Sequence, residues 1–310
     1  MSNPYVFIVG CPRSGTTLLQ RMVNAHPDIA ITPESHWIPR LYAKPWAITP
    51  DGRVKPKLIR RLIGHPKFAR LKIGPEEVAR LSGNGQPVSY ENLVSRIFDV
   101  YGERQGKPLV GDKTPDYVRC IATLHSLWAS ARFVHVIRDG RDVALSMMDW
   151  PKCRPKPGDF ATWQEDRVST AALWWESNVR LGRQAGKALG PKLYYELRYE
   201  SLVSRPAAES VELCGFLGVS YFEAMLGFHE APAASDPGLE ARRAHLPVTQ
   251  GLRDWSAQLP PEDCERFEAA AGGLLEELGY PRVALRPRRE LVDHAARIRH
   301  SLAEDPRARA

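Results

Sequence analysis

The chain has 310 residues, of which 43% are hydrophobic, and this apolar content is enough to bury the core of one enzyme-sized domain. Its formal net charge is +7 at pH 7, and its five cysteines are widely spaced, which argues against a disulfide framework and against a paired-cysteine metal site. No apolar run reaches bilayer length, and the first strand-like segment leaves no room for a signal peptide. We therefore expect a cytoplasmic protein without a membrane span.

The first segment of the chain has the pattern of a strand, a glycine loop and a helix. Val6 to Val9 are apolar and mostly β-branched, which is typical of a buried strand. The loop Gly10-Cys11-Pro12-Arg13-Ser14-Gly15-Thr16-Thr17 then opens a segment with helical periodicity at Leu18, Leu19, Met22 and Val23. Such a turn places backbone N–H groups and the positive end of a helix around one anion. The sequence thus predicts a phosphate-binding loop here.

This loop lacks the lysine of the nucleotide triphosphatases. Their motif, G-x-x-x-x-G-K-S/T, places a lysine after the second glycine, where this chain has Thr16. The nearest cation is Arg13, whose planar guanidinium can hold two oxygens of a transferred group or the bridging leaving oxygen. A P-loop kinase-like phosphotransferase is therefore the first alternative, and the missing lysine argues against it.

Two polar residues follow the predicted first helix. A strand-like run, Ile29 to Ile31, leads to Glu34 and His36, which share one face if the segment is extended. A hydroxyl that attacks an electrophile must lose its proton, and a partly buried carboxylate can accept it. Glu34 and His36 are therefore candidates for such proton transfer, unless they form an ordinary surface pair.

Further candidates follow two later apolar runs. Lys113 comes after Leu109-Val110, so we expect it at a strand end, where open α/β sheets bind ligands. Arg138 closes the strand-like run Phe133 to Ile137, and a helix beginning near residue 139 places Ser146 about two turns along. An arginine and a hydroxyl would then converge on one phosphate, unless Arg138 only pairs with an acid in the helix.

These segments together resemble the sulfotransferases that use 3′-phosphoadenosine 5′-phosphosulfate (PAPS). The resemblance rests on Pro12-Arg13-Ser14-Gly15-Thr16-Thr17, Arg138 to Ser146, Glu34-x-His36 and Asp112-Lys113-Thr114-Pro115. It implies a 5′-phosphosulfate loop, a 3′-phosphate segment, a general base and a lysine that faces the sulfuryl oxygens or the acceptor. The implied catalytic residues are Glu34, His36, Arg13 and Lys113.

The resemblance also implies a set of cofactor-binding residues. They are Pro12, Arg13, Ser14, Gly15, Thr16, Thr17, Arg138, Ser146, Tyr199 and Arg253. Tyr199 follows a strand-like segment and is expected either near the adenine or packed in the core. Arg253 lies in Gln250 to Trp255, which resembles a loop that closes over the 3′-phosphate in cytosolic relatives, although its Lys-Gly start is absent.

The expected fold is a P-loop-like, mostly parallel α/β sheet with helices on both faces. We assign residues 1–284 to the sulfotransferase domain, with helical inserts at about 40–105 and 147–175 that cap the acceptor site, and 285–310 to a C-terminal helix and basic tail. The tryptophans Trp150, Trp163, Trp174 and Trp175 either line an acceptor pocket or anchor loops to the core.

The implied reaction is in-line transfer of a sulfuryl group from PAPS to a hydroxyl of a small molecule or glycan, with adenosine 3′,5′-bisphosphate as product. No metal is expected, because a phosphate-bound sulfuryl group has about one negative charge, so arginine, lysine and amide groups suffice. A sugar, lipid, phenol or polyketide-like acceptor is compatible with the sequence. No nucleic-acid partner is expected, since the basic tail lacks interleaved aromatic residues. A non-catalytic nucleotide-binding protein is the second alternative.

Overall fold

The computed structural model describes residues 3–149, 160–230, 246–249, 251 and 253–305. Predictions that concern Trp150, the loop 151–157, Gln250, Leu252 and the end of the basic tail from residue 306 lie outside those residues.

The chain divides into two compact units: the first comprises Met1–Gly10, Gly15–Val136 and Gly182–Val248, and the second comprises Cys11–Ser14, Ile137–Leu181 and Thr249–Ala310. The domain boundary at 284 and the capping role of the two inserts stay predictions.

A five-stranded sheet forms the centre of the first unit. Its strands are β1 (Val6–Gly10), β2 (Ile29–Thr32), β3 (Leu109–Lys113), β4 (Arg132–Ile137) and β5 (Tyr194–Arg198). The strand order is β2-β3-β1-β4-β5, and the pairs β1/β3, β1/β4 and β2/β3 are parallel. Parallel neighbours need long crossover connections, which are usually helices. The predicted P-loop-like, mostly parallel α/β fold is confirmed.

Helices and 3₁₀ turns cover both faces of this sheet. The α-helices are α1 (Thr16–Asn24), α2 (Ile38–Tyr42), α3 (Pro56–Ile63), α4 (Pro75–Leu81), α5 (Tyr90–Glu103), α6 (Ile121–Leu127), α10 (Tyr199–Ser204) and α11 (Pro206–Leu217), and the 3₁₀ turns are Phe68–Leu71, Pro115–Cys120 and Glu223–Met225. Because side chains alternate along a strand, Phe7 packs in the cluster that contains Phe98 of α5, whereas Ile8 packs in the cluster that contains Leu19 of α1. Both faces are therefore buried, as in other parallel sheets.

The second unit is helical. It contains α7 (Gly140–Met148), α8 (Ala161–Glu165), α9 (Arg167–Leu189, whose end from Gly182 belongs to the first unit), α12 (Trp255–Gln258), α13 (Pro261–Glu277) and α14 (Arg289–Glu304). Trp163, Trp174 and Trp175 are buried in its apolar core, and Trp175 Nε1 donates to the Arg138 carbonyl oxygen at 3.1 Å. Their burial favours the anchoring alternative for these three residues, and a pocket-lining role stays a prediction.

Two strands end at predicted site residues. Strand β3 extends through Asp112 to Lys113, so Lys113 lies at the end of a strand, as the sequence predicts. Strand β5 passes directly into α10. Tyr199 is therefore the first residue of a helix, and the acidic side chain of Glu200 in its first turn is favourable near a helix N-terminus.

Candidate active site

A cluster of charged residues surrounds Glu34, which lies in the loop between β2 and α2. Lys113 Nζ donates to Glu34 Oε1 at 2.7 Å. Glu34 Oε2 lies 3.0 Å from His36 Nε2 and 3.8 Å from Lys67 Nζ. The structure thus brings together the predicted base, the predicted lysine and His36. Since His36 has a left-handed backbone with φ of 55°, the segment is not extended, and the two side chains meet across a tight bend.

The cations decide the protonation state of Glu34. Its burial alone would raise the pKa, but the Lys113 ammonium and the hydrogen bonds from His36 and Lys113 outweigh that effect and hold the pKa well below the usual range. Glu34 is therefore a carboxylate at neutral pH, and it can accept a proton without first losing one. The same ion pair lowers the basicity of Glu34.

Lys113 also connects this cluster to the phosphate-binding loop. Its side chain is only 4% exposed, and Nζ donates to Thr17 Oγ1 at 3.2 Å as well as to Glu34. Thr17 is the second residue of α1. One buried ammonium therefore lies within hydrogen-bonding distance of both the candidate base and the first turn of the loop helix.

The start of α1 has the features of an anion site. The helix has no side-chain cap and no acidic residue in its first turn, so its first N–H groups have no capping side chain. Gly15, which precedes the helix, has φ of 94°, and a Cβ there would lie 2.3 Å from Tyr199 Cδ2. Tyr199, a predicted cofactor residue, therefore packs its ring directly against the loop glycine.

Arg13, Ser14 and Ser146 are predicted site residues that belong to the second unit. Arg13 Nε donates to Ser146 Oγ at 3.0 Å, although these residues are 133 positions apart. Ser14 is fully buried, and its Oγ has no hydrogen-bond partner among the described residues. A buried hydroxyl without a partner is costly in a folded protein. Together, Arg13, Ser14 and Ser146 offer donors suited to the oxygens of a phosphate or sulfate.

Arg138 forms the helix-start ion pair that the sequence left open. Its Nη2 lies 3.1 Å from Asp142 Oδ2, and both side chains are nearly buried. Burial raises the pKa of Asp142 despite the opposing charge of Arg138. This pair keeps a guanidinium at the N-terminus of α7, and its role toward a 3′-phosphate stays a prediction.

The segment with Arg253 packs against α7 within the second unit. Arg253 pairs with Asp149 at the end of α7, and the Trp255 N–H donates to Asp142 Oδ1 at 2.9 Å. The guanidinium of Arg141 stacks on the Trp255 ring at 3.5 Å from its centroid. The carboxylate that holds Arg138 therefore also anchors this segment, while phosphate contact by Arg253 stays a prediction.

Sequence reasoning missed the position of Lys67 beside Glu34 and the burial of Asp112. Lys67 comes from the segment after α3, and no motif marked it. Asp112 is fully buried, and burial raises its pKa to about 6, while the hydroxyls of Thr114, Ser35 and Thr32 oppose the rise. An acid beside Lys113 was visible in the sequence, but its burial was not.

Among the described ranges, no group of three or more His, Cys, Asp or Glu side chains is arranged to hold a metal ion. In the same part of the chain, no helix combines the length and the apolar character needed to cross a membrane.

Known proteins share this chain's sequence pattern and fold. Protein-tyrosine sulfotransferase A of Caenorhabditis elegans is 24% identical over 90% of this chain and 68% of its own length. Nodulation protein NoeE of Sinorhizobium fredii is 28% identical over 88% of this chain and 65% of its own. The sulfotransferase domain of the Synechococcus PCC 7002 olefin synthase superposes with a TM-score of 0.59 and 24% identity, covering 90% of this chain and 95% of that one. The model of the sulfotransferase family matches residues 4–223, and the chain belongs to that family.

Proposed function

We propose that this chain transfers a sulfuryl group from PAPS to a hydroxyl acceptor, with Glu34 as the general base. The observation that supports this most directly is the position of Lys113. Its Nζ lies 2.7 Å from Glu34 Oε1 and 3.2 Å from Thr17 Oγ1 of the phosphate-binding loop. A base, a cation and an anion-binding helix end are the three parts that such a transfer requires.

The residues present fit the proposed donor. The loop 12–17 would hold the 5′-phosphosulfate through its N–H groups, Arg13 and the hydroxyl of Ser14, which has no partner among the described side chains. Arg138 and Ser146 would bind the 3′-phosphate, and Tyr199 and Arg253 complete the proposed set. When bound, the donor supplies an activated sulfuryl group with adenosine 3′,5′-bisphosphate as its leaving group.

The residues of this chain then have separate tasks. Glu34 accepts the proton of the acceptor hydroxyl as the new oxygen–sulfur bond forms and the opposite sulfur–oxygen bond breaks in line. Arg13 and Lys113 neutralise the charge on the sulfuryl and bridging oxygens. When Lys113 turns from Glu34 toward those oxygens, Glu34 loses its strongest cationic partner and becomes more basic. His36 orients Glu34 or the acceptor.

The acceptor class is proposed only as a hydroxyl of a small molecule, glycan or protein. Some relatives are named for protein tyrosines, and their names describe those proteins. A metal-independent reaction, the cytoplasmic location and the absence of a nucleic-acid partner stay predictions of the sequence.

Calorimetric titration tests the donor. Adenosine 3′,5′-bisphosphate, ADP and ATP are titrated without magnesium into the wild type, Arg138→Ala and Arg96→Ala. Arg96, whose Nη1 binds the Leu81 carbonyl oxygen, serves as a matched control in the first unit. Tight binding of the bisphosphate alone is expected, weakened by about 1.5 to 3 kcal/mol only in Arg138→Ala.

A preference for ATP would overturn the proposal in favour of a phosphotransferase. Glu34→Gln separates an enzyme from a non-catalytic binder, because the proposal requires lost turnover with retained bisphosphate binding. Unchanged turnover in Glu34→Gln would exclude Glu34 as the base.

A further inference from the structure

A buried set of hydroxyls lies beneath the loop that contains Glu34 and His36. Ser35, between them, is only 2% exposed, so its side chain points inward while the two charged neighbours are partly exposed. The Ser35 N–H donates to Thr114 Oγ1 at 3.0 Å, and Ser35 Oγ lies 2.6 Å from the Tyr117 hydroxyl. Ser35 therefore anchors the loop to Thr114 and Tyr117.

The Tyr117 hydroxyl makes a second contact with the same segment. The N–H of Ile38, the first residue of α2, donates to Tyr117 Oη at 3.1 Å. Because that oxygen accepts from Ile38, its own proton is available to Ser35 Oγ. One hydroxyl therefore fixes the chain on both sides of His36, which has the strained left-handed backbone.

The other anchor of the loop lies next to Lys113. Thr32 Oγ1, at the end of β2, donates to Asp112 Oδ2 at 2.9 Å. Asp112 and Thr114 are the chain neighbours of Lys113, and both are fully buried. The end of β3 therefore does two things. Asp112 and Thr114 bind the loop, and Lys113, which lies between them in the chain, donates to Glu34.

We propose that Tyr117 is a positioning residue, whose hydroxyl, together with that of Thr114, sets the distance between Glu34 and Lys113. This inference rests on the proposed role of Glu34 as the base. Tyr117 touches neither Glu34 nor Lys113 through a described hydrogen bond, and it acts through Ser35 and Ile38. Fixing a base to within a fraction of an ångström is worth large factors in rate, because a misplaced group rarely reaches its proton.

Tyr117→Phe is the direct test, since it removes the hydroxyl and keeps the buried ring. Tyr5→Phe is the matched control: Tyr5 is also buried in the first unit, and its hydroxyl donates to Asp99 Oδ1 at 3.0 Å, away from the Glu34 loop. Each variant loses one hydroxyl, which in Tyr117 contacts Ser35 Oγ and the Ile38 N–H and in Tyr5 contacts Asp99. A purely structural effect would appear in both as a loss of thermal stability, without a shift in the Glu34 titration.

The decisive readout is the titration of the Glu34 carboxyl carbon by NMR, assigned with Glu34→Gln. The groups that face this carboxylate are Lys113 from β3, His36 from the loop and Lys67 from the segment after α3, and Asp116 lies 3.9 Å from His36. None of these four groups is itself replaced in Tyr117→Phe. The midpoint is expected to rise by about half a pH unit or more as the contact with Lys113 loosens, and to stay unchanged in Tyr5→Phe.

Once an acceptor has been identified, the rate of sulfuryl transfer gives the second readout. In Tyr117→Phe, kcat is expected to fall about tenfold, with the affinity for adenosine 3′,5′-bisphosphate unchanged. A Glu34 midpoint in Tyr117→Phe equal to that of the wild type would overturn the positioning role. That titration needs no reaction, so its failure is distinct from a failure of the proposed function, which the bisphosphate titration reports.

Discussion

Replacing Lys113 by methionine tests the electrostatic logic of the site. The substitution keeps most of the side-chain volume and removes the charge that lies 2.7 Å from Glu34 Oε1. Two unit charges about 4 Å apart attract by about 4 kcal/mol at an effective dielectric constant of about 20. Because Glu34 keeps 29% of its side-chain surface exposed, solvent screening reduces the effect to about 1.5 to 3 kcal/mol. The pKa of Glu34 should therefore rise by about one to two units.

Two assays measure this change. An NMR titration of the Glu34 carboxyl gives the pKa directly, and chemical denaturation as a function of pH gives its effect on stability. The folded-state pKa of Glu34 lies below the ordinary value, so the pair stabilises the wild type above about pH 4.3, and this stabilisation is lost as the pH falls. In Lys113→Met, the free energy of unfolding should depend less steeply on pH below that point.

Lys67→Met is the matched control for this prediction. Lys67 lies 3.8 Å from the other carboxylate oxygen and is 32% exposed, so its removal should shift the pKa of Glu34 less than the removal of Lys113 does. An unchanged Glu34 titration in Lys113→Met, or a larger shift in Lys67→Met, would refute the reasoning.

Three further changes have expected outcomes. Burial raises the pKa of Asp112 to about 6, so the folded state binds more protons at this group between about pH 4 and 6. The contribution of Asp112 to the free energy of unfolding should therefore fall by about 2 to 3 kcal/mol as the pH rises through that window. Denaturation curves of Asp112→Asn should lack this contribution. Gly15→Ala should lower the free energy of unfolding by about 2 to 4 kcal/mol, because the new Cβ would lie 2.3 Å from the Tyr199 ring and φ at this position is 94°. Full recovery of stability in Gly15→Ala/Tyr199→Ala would show that backbone strain contributes nothing to this loss. Ser146→Ala removes the acceptor for Arg13 Nε, and calorimetry should show bisphosphate binding weakened by about 1 to 2 kcal/mol, whereas equal affinity would exclude a role for this hydroxyl.

Local patterns in the sequence were sufficient for the architecture. The apolar runs that start at Val6, Ile29, Leu109 and Phe133 each lie within a strand, because short buried segments with β-branched residues have few other stable conformations. The glycine loop before α1 was equally visible, since Gly15 has a backbone conformation that side chains rarely adopt. These features depend on neighbours in the chain.

The contacts that make the site depend on distant residues. Strand pairing between β2 and β3 is what places Lys113 against Glu34, 79 positions away, and crossover connections place Ser146 against Arg13 over 133 positions. A sequence motif specifies residue types and their spacing, but it does not predict which distant residue each of them will contact. The tertiary structure alone decided that Lys67 joins the cluster.

The burial of polar groups was also decided by the tertiary structure. In the sequence, Asp112, Ser35 and Tyr117 resemble ordinary polar positions, and only the packing of β3 against the loop shows that they form a buried hydrogen-bonded set. The sequence by itself determined the elements and the chemical groups, because propensity and periodicity are local. The tertiary structure determined distances, burial and protonation, because these arise where elements far apart in the chain meet.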